Sequence, residues 1–341
     1  MKIEQCRWTD NAWKSNKPGE WSADANLVFV FGSTTHLKEG AVIGEIKNAY
    51  PQAIFMGCST AGEIYGAEVS DDTVVCTAVA LEKTKVKASS ALISDMADSF
   101  SIGQQLIQGL EKDGLVHVFV LSDGIHVNGS KLVAGICAEL PPGVAVTGGL
   151  AGDGDRFVET VVLGSDGKVS DRRITLIGFY GDTFKIGYGS LGGWDPFGIE
   201  RKITRSKDNI LYELDGQPVL KLYKEYLGEH AEKLPASGLL FPLTVKVNEG
   251  EEWVVRTILG VNEADNSMIF AGDVPEGAAA RLMKANFERL IDGATAAAEK
   301  SYQAIGSATP DLAILISCVG RKMILKQRVE EEVESVRDVL G

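Results

Sequence analysis

The 341-residue chain carries 47 acidic against 34 basic side chains, a formal charge of −13. An acidic surface repels phosphodiester backbones and anionic headgroups, so neither nucleic acid nor membrane is an expected partner. No stretch reaches about 18 uninterrupted apolar residues, and Met1–Gln5 lacks the apolar core of a leader. The five cysteines, Cys6, Cys58, Cys76, Cys137 and Cys318, form no CxxC pair. This argues against a disulfide framework or structural zinc, and for a reducing cytoplasm.

The first predicted strand is the apolar run Leu27–Phe31, ended by Gly32-Ser33. A helix is predicted over Lys38–Tyr50, where Val42, Ile46, Ala49 and Tyr50 share a face and Pro51 stops it. A second strand, Ala53–Met56, runs into Gly57-Cys58-Ser59-Thr60-Ala61-Gly62-Glu63, and strands near Thr73–Leu81 and Val86–Ile93 follow. The order then recurs: strand Val116–Leu121, loop Ser122–His126, helix Lys131–Leu140 stopped by Pro141-Pro142, and strand Val144–Val146 entering Gly148–Asp153.

The two passages align by arithmetic. Val28-Phe29-Val30 and Val118-Phe119-Val120 stand 90 positions apart, as do His36 and His126, and Ala61-Gly62-Glu63 and Ala151-Gly152-Asp153. This reads as an internal duplication of a βαβ unit. A third copy is expected to begin with a buried strand at Ala313–Gly320, followed by a helix over Met323–Leu340 and no second strand. Between the copies, Asp182–Gly192 is strand-like, and a helix opens at Pro218 and runs to Leu227. Leu243–Asn248, Trp253–Val261 and Ser267–Ala271 read as antiparallel strands, and Pro275-Glu276-Gly277 opens a long helix to Ile305.

The expected fold is therefore α/β, becoming α+β in the C-terminal part. Duplicated βαβ units form mixed sheets in two associated domains: an extension over 1–26, a domain over 27–197 and a second over 198–341. In such sheets ligands sit at the carboxyl ends of strands. The candidate ligand-binding residues at those ends are His36, Cys58, Ser59, Thr60, Asp123, His126, Gly148, Gly149, Asp153, Cys318 and Arg321. Glycines there let backbone N–H groups approach a ligand, or simply permit tight turns. Glu63 and Asp153 can also serve as caps, and Cys58 as an inert buried thiol. Arg321 can clamp a carboxylate or phosphate. His36 and His126, at matching positions, can hold heme or a charged ligand, or face water. Walker, zincin, nucleophile-elbow and dinucleotide signatures are missing. A binding module is therefore expected rather than an enzyme, and without a resident cofactor unless it is heme. A cysteine-dependent hydrolase or transferase using Cys58 or Cys318 is a further alternative.

These segments resemble the FIST family of bacterial sensory proteins. The resemblance rests on Gly57–Ile64, Leu121–Gly124 and Gly148–Gly154 in the first half. In the second it rests on Ile210–Pro218, Gly272–Gly277 and Ser317–Arg321. It implies a FIST N and a FIST C region forming a sensory input unit that binds small ligands, amino acids among them. Expected partners are a histidine kinase, a cyclic-di-GMP enzyme or a chemotaxis component. It also implies a heme-based nitric-oxide sensor as the alternative. The family pattern continues into a further strand with a Gly-Glu motif that this sequence lacks.

Overall fold

The computed structural model describes residues 1–341 except Ser15 and 247–251. Its first half is a four-layer sandwich. Leu27–Gly32 and Ile54–Ser59 pair in parallel, Val74–Ala80 lies antiparallel on the far side of Leu27–Gly32, and Lys2–Thr9 lies beyond it. The second sheet repeats this plan. Leu115–Ser122 and Ala145–Leu150 are parallel, with Arg173–Tyr180 and then Lys85–Leu92 antiparallel beside them. The N-terminal extension thus supplies a sheet strand, matching Lys85–Leu92 of the second unit.

Burial explains why the strands read as continuous apolar runs rather than alternating ones: both faces are covered. Val28 and Val30 face the helices, packing with Val42 and Ile46, while Leu27 and Phe29 face the other sheet. In the second unit Val118 and Val120 pack on Leu132 and Ile136, while Phe119 and Leu121 face inward. Phe29 and Phe119 meet edge to face between the sheets, their centroids 6.0 Å apart. Each such ring contributes about 1.5–3 kcal/mol by leaving water.

The duplication is real, but its register slips by one. Leu27 pairs with Ile54, whereas His117 pairs with Ala145, so the second unit has one more residue between its parallel strands. Beyond that insertion the offset is 91. Thr60 N–H donates to Gly32 O as Ala151 N–H donates to Ser122 O. Gly57 therefore corresponds to Gly148, and a methyl group at either would overlap a carbonyl oxygen, of Val30 or Val120. The likeness of Ala61-Gly62-Glu63 to Ala151-Gly152-Asp153 is not a structural equivalence; it is one residue out of step.

From Trp194 the chain enters an antiparallel sheet in the order 254–256, 243–246, 279–285, 194–207, 210–214, 267–270, 258–262. The sheet curls over helix Val219–Leu227, whose Leu220 and Tyr223 are fully buried. Three expectations fail in this half and at its entry. Ala279–Ala285 is a strand, so the long helix starts only at Phe287. Pairing with both neighbouring strands, with Ala280 and Leu282 turned into the core, outweighs the helix propensity of this Ala-rich stretch. The expected third-copy strand at Ala313–Gly320 does not form: the chain has no regular structure up to Cys318, and a helix begins at Val319. Segment 182–192, just before Trp194, likewise forms no strand: Asp182 and Thr183 make a turn, and the rest pairs with no strand among the described residues. Of the strand expected over Leu243–Asn248, Leu243–Lys246 forms, and the last two residues lie outside the described residues.

Candidate functional site

The polar strand ends converge, as the duplication requires, but they close on one another. Gly152 N–H donates to Ser59 O, and Thr34 Oγ1 donates to Asp153 Oδ1 at 2.9 Å. Asp153 also accepts from the Arg156 side chain and from the Val158 and Glu159 N–H groups. These hydrogen bonds, the Arg156 guanidinium first among them, outweigh its burial and hold its carboxyl below the ordinary range. Asp123, fully buried, accepts from Ile125 and His126 N–H, Thr160 Oγ1 and Arg172 N–H. Ser59 Oγ accepts from Val161 N–H, and Thr60 Oγ1 donates to Glu63. The loop 153–161 thus seals the tips of both sheets.

The two histidines occupy matching places and share a local cause. Ser33 and Asp123 cap the first turn after each strand, each accepting from the N–H of the histidine three residues on. His36 bonds through Nε2 to Asp72 O at 3.1 Å and packs edge-on against Trp8. His126 turns Nδ1 back to Asp123 Oδ1, at 3.1 Å. Cys58 is buried between the sheets, and that burial pushes its thiol up to about 12.

The open space lies elsewhere. A cavity of about 1580 Å³ runs along the outer edge of Ala145–Leu150, between that strand and the C-terminal half. Gly148, Gly149 and Arg321 line it; the other eight candidates do not. Its wall is largely apolar, and includes Phe29, Phe119, Val133, Tyr188, Ile314 and Ile316. The last four are exposed to it although large and apolar.

Arg321 reaches the cavity wall with each of its three nitrogens already donating one hydrogen bond. Nε donates to Glu332 Oε1 at 2.8 Å, and the terminal nitrogens donate to Gly192 O and Leu290 O. It pins three segments together. Glu332, also in the wall, keeps Oε2 without a hydrogen-bond partner among the described residues. Arg256 lines the cavity too; Nε donates to Asp273 O, and burial lowers its pKa against the opposing pull of Asp273. Sequence reasoning missed both residues. Arg256 sits in a short strand and Glu332 in an acidic run that looks like a solvated helix face, so neither carried a local signal.

Among the described residues no helix is long and apolar enough to cross a membrane, and no cluster of three or more metal-ligating side chains is found. Comparison with known proteins gives a relative in Methanocaldococcus jannaschii, an uncharacterized protein 23% identical over 334 residues. The match covers 91% of this chain and 63% of the relative, so the chain spans under two thirds of that protein's length. The FIST N domain matches residues 26–217 and the FIST C domain residues 220–341. Together they account for the sandwich and the curled sheet, and the chain belongs to the FIST family, whose domains are associated with sensory signal transduction.

Proposed function

We propose that the chain is the ligand-binding input of a signalling system, that its ligand is a small zwitterionic metabolite such as an amino acid, and that the cavity receives it. One observation carries this reading: a largely apolar cavity whose wall holds both a guanidinium, Arg256, and a carboxylate, Glu332. A cation and an anion in an apolar wall are what a carboxylate and an ammonium group require. Binding to the native state raises stability by about 2.7 kcal/mol at a hundredfold excess over Kd. Thermal denaturation with each amino acid at millimolar concentration tests the idea. The expected result is a raised Tm with a few of them, abolished in Arg256→Met. No shift with any, for folded protein, removes the reading.

Heme sensing would need a different place. His36 and His126 lie outside the cavity, each engaged by neighbouring backbone or carboxylate oxygens. Hemin titration checks it: a Soret band lost in His36→Ala or His126→Ala would revive that alternative. The cysteine-dependent chemistry needs a depressed thiol pKa, and the Cys58 thiol lies far on the other side.

A further inference from the structure

The two units offer a controlled comparison of one edge. In the first, the outer side of Ile54–Ser59 is covered: Phe55 N–H donates to Ser165 O at 3.1 Å, and Ser59 N–H to Val161 O at 2.8 Å. The strand Val162–Leu163 runs antiparallel along it, facing Cys58 and Gly57. Through the 91-residue offset, the outward-facing groups of the second unit belong to Val146, Gly148 and Leu150. The alternation confirms this, since Ala151 N–H turns inward to Ser122 O. Among the described residues these three amides have no backbone partner, and their strand edge forms one wall of the cavity.

We infer that the edge of Ala145–Leu150 is a docking site for an extended, apolar strand of a partner protein, added to the second sheet as Val162–Leu163 is added to the first. Three observations point to a polypeptide. A row of unsatisfied backbone groups is matched by another backbone, which is the basis of strand addition. The space of about 1580 Å³ exceeds the ~300–1,000 Å³ that a small ligand occupies, leaving room for a strand along the edge as well. Bordering the same cavity, Ile314 and Ile316 are exposed two residues apart, and Ile316 packs over the face of the strand at Gly149. These side chains suit the apolar residues of an inserted strand. The inference goes beyond ligand sensing and does not rest on it; it identifies how the module can grip a signalling partner.

Hydrogen exchange on the full chain tests it, with a probe taken from the first unit: the acetylated, amidated peptide of residues Glu159–Ser165. The expected result is fast exchange at Val146, Gly148 and Leu150 in the free protein, slowed about tenfold or more by the peptide. The same peptide N-methylated at the positions of Val161 and Leu163, whose backbone faces the covered edge, should give no slowing. Three results overturn the proposal: equal protection by the N-methylated peptide; no protection at millimolar peptide; and slow exchange in the free protein. If that slow exchange disappears on dilution together with a dimer in light scattering, a second copy is the occupant instead. A metabolite-induced Tm shift reports separately on the small-ligand reading.

Discussion

The first and second units share a strand plan, a glycine and a capped turn, yet they finish differently. Between the sheets, the first unit places Leu27 where the second places His117, and Met56 where the second places Thr147. All the first unit's groups there are apolar; in the second, His117 Nε2 bonds Thr147 Oγ1 at 2.8 Å, and Nδ1 has no partner among the described residues. At the outer edge, the first unit is sealed by Val162–Leu163 and the second opens on the cavity. Duplication therefore preserved what folding needs, while the second copy gave up some burial and pairing around the space that a ligand or partner can use.

The sharpest way to break this comparison is at its shared glycine. Gly57→Ala and Gly148→Ala each drive a methyl group into a neighbouring carbonyl oxygen that belongs to a strand, and no flexible side chain can yield. Each should cost on the order of 3 kcal/mol or more, seen as a lowered urea midpoint or loss of folded protein. A large loss at one position and none at the other would mean that the units are not built alike.

The next largest effect concerns His117, which is 1% exposed and whose pKa burial lowers to about 4. The unfolded chain takes up a proton near pH 6.5, while the folded chain resists until about 4, so protons favour unfolding across that window. Stability should fall by about 3 kcal/mol from this group as pH drops from 6.5 to 4. His117→Leu, which copies the first unit, should flatten that limb in urea titrations at several pH values. An unchanged acid limb would show that the imidazole is not the group responsible.

How far the sequence reached depends on what kind of contact fixed each element. Leu27–Phe31 and Val116–Leu121 were legible because burial on both faces writes an apolar run. The capped turns after them were legible only as polar loops, because the bonds from Ser33 and Asp123 to backbone N–H groups leave no pattern of their own. The strand Ala279–Ala285 was not, since its helix-favouring residues are held extended only by partners far away in sequence. The one-residue slip was hidden because Ala-Gly-acidic recurs by coincidence at 90, while the true match is set by hydrogen bonds. The candidate site shared this fate. Strand-end loops look the same in sequence whether they open on a ligand or close on each other, and only the seal formed by Asp153, Thr160 and Val161 decides it. Gly148 and Gly149 were found, but for their place after a strand and not for the bare edge they form.

Smaller effects refine the comparison at the caps and at one pair of neighbours. Ser33→Ala removes one oxygen from the first turn and should cost about 1 kcal/mol in urea unfolding. The last test has almost no stability effect and reads reactivity instead. Cys58 stands where the second unit has Gly149: one position is packed between sheets, the other borders open space. With its thiol pushed up to about 12, roughly one Cys58 in 10⁵ is thiolate at neutral pH, against a few per cent of a free cysteine. Iodoacetamide at pH 7.5 should therefore label exposed Cys137 and leave Cys58 untouched in the folded chain, as read by peptide mass spectrometry. Rapid labelling of Cys58 would mean that the first unit opens there too, and that the covered and bare edges differ less than their hydrogen bonds imply.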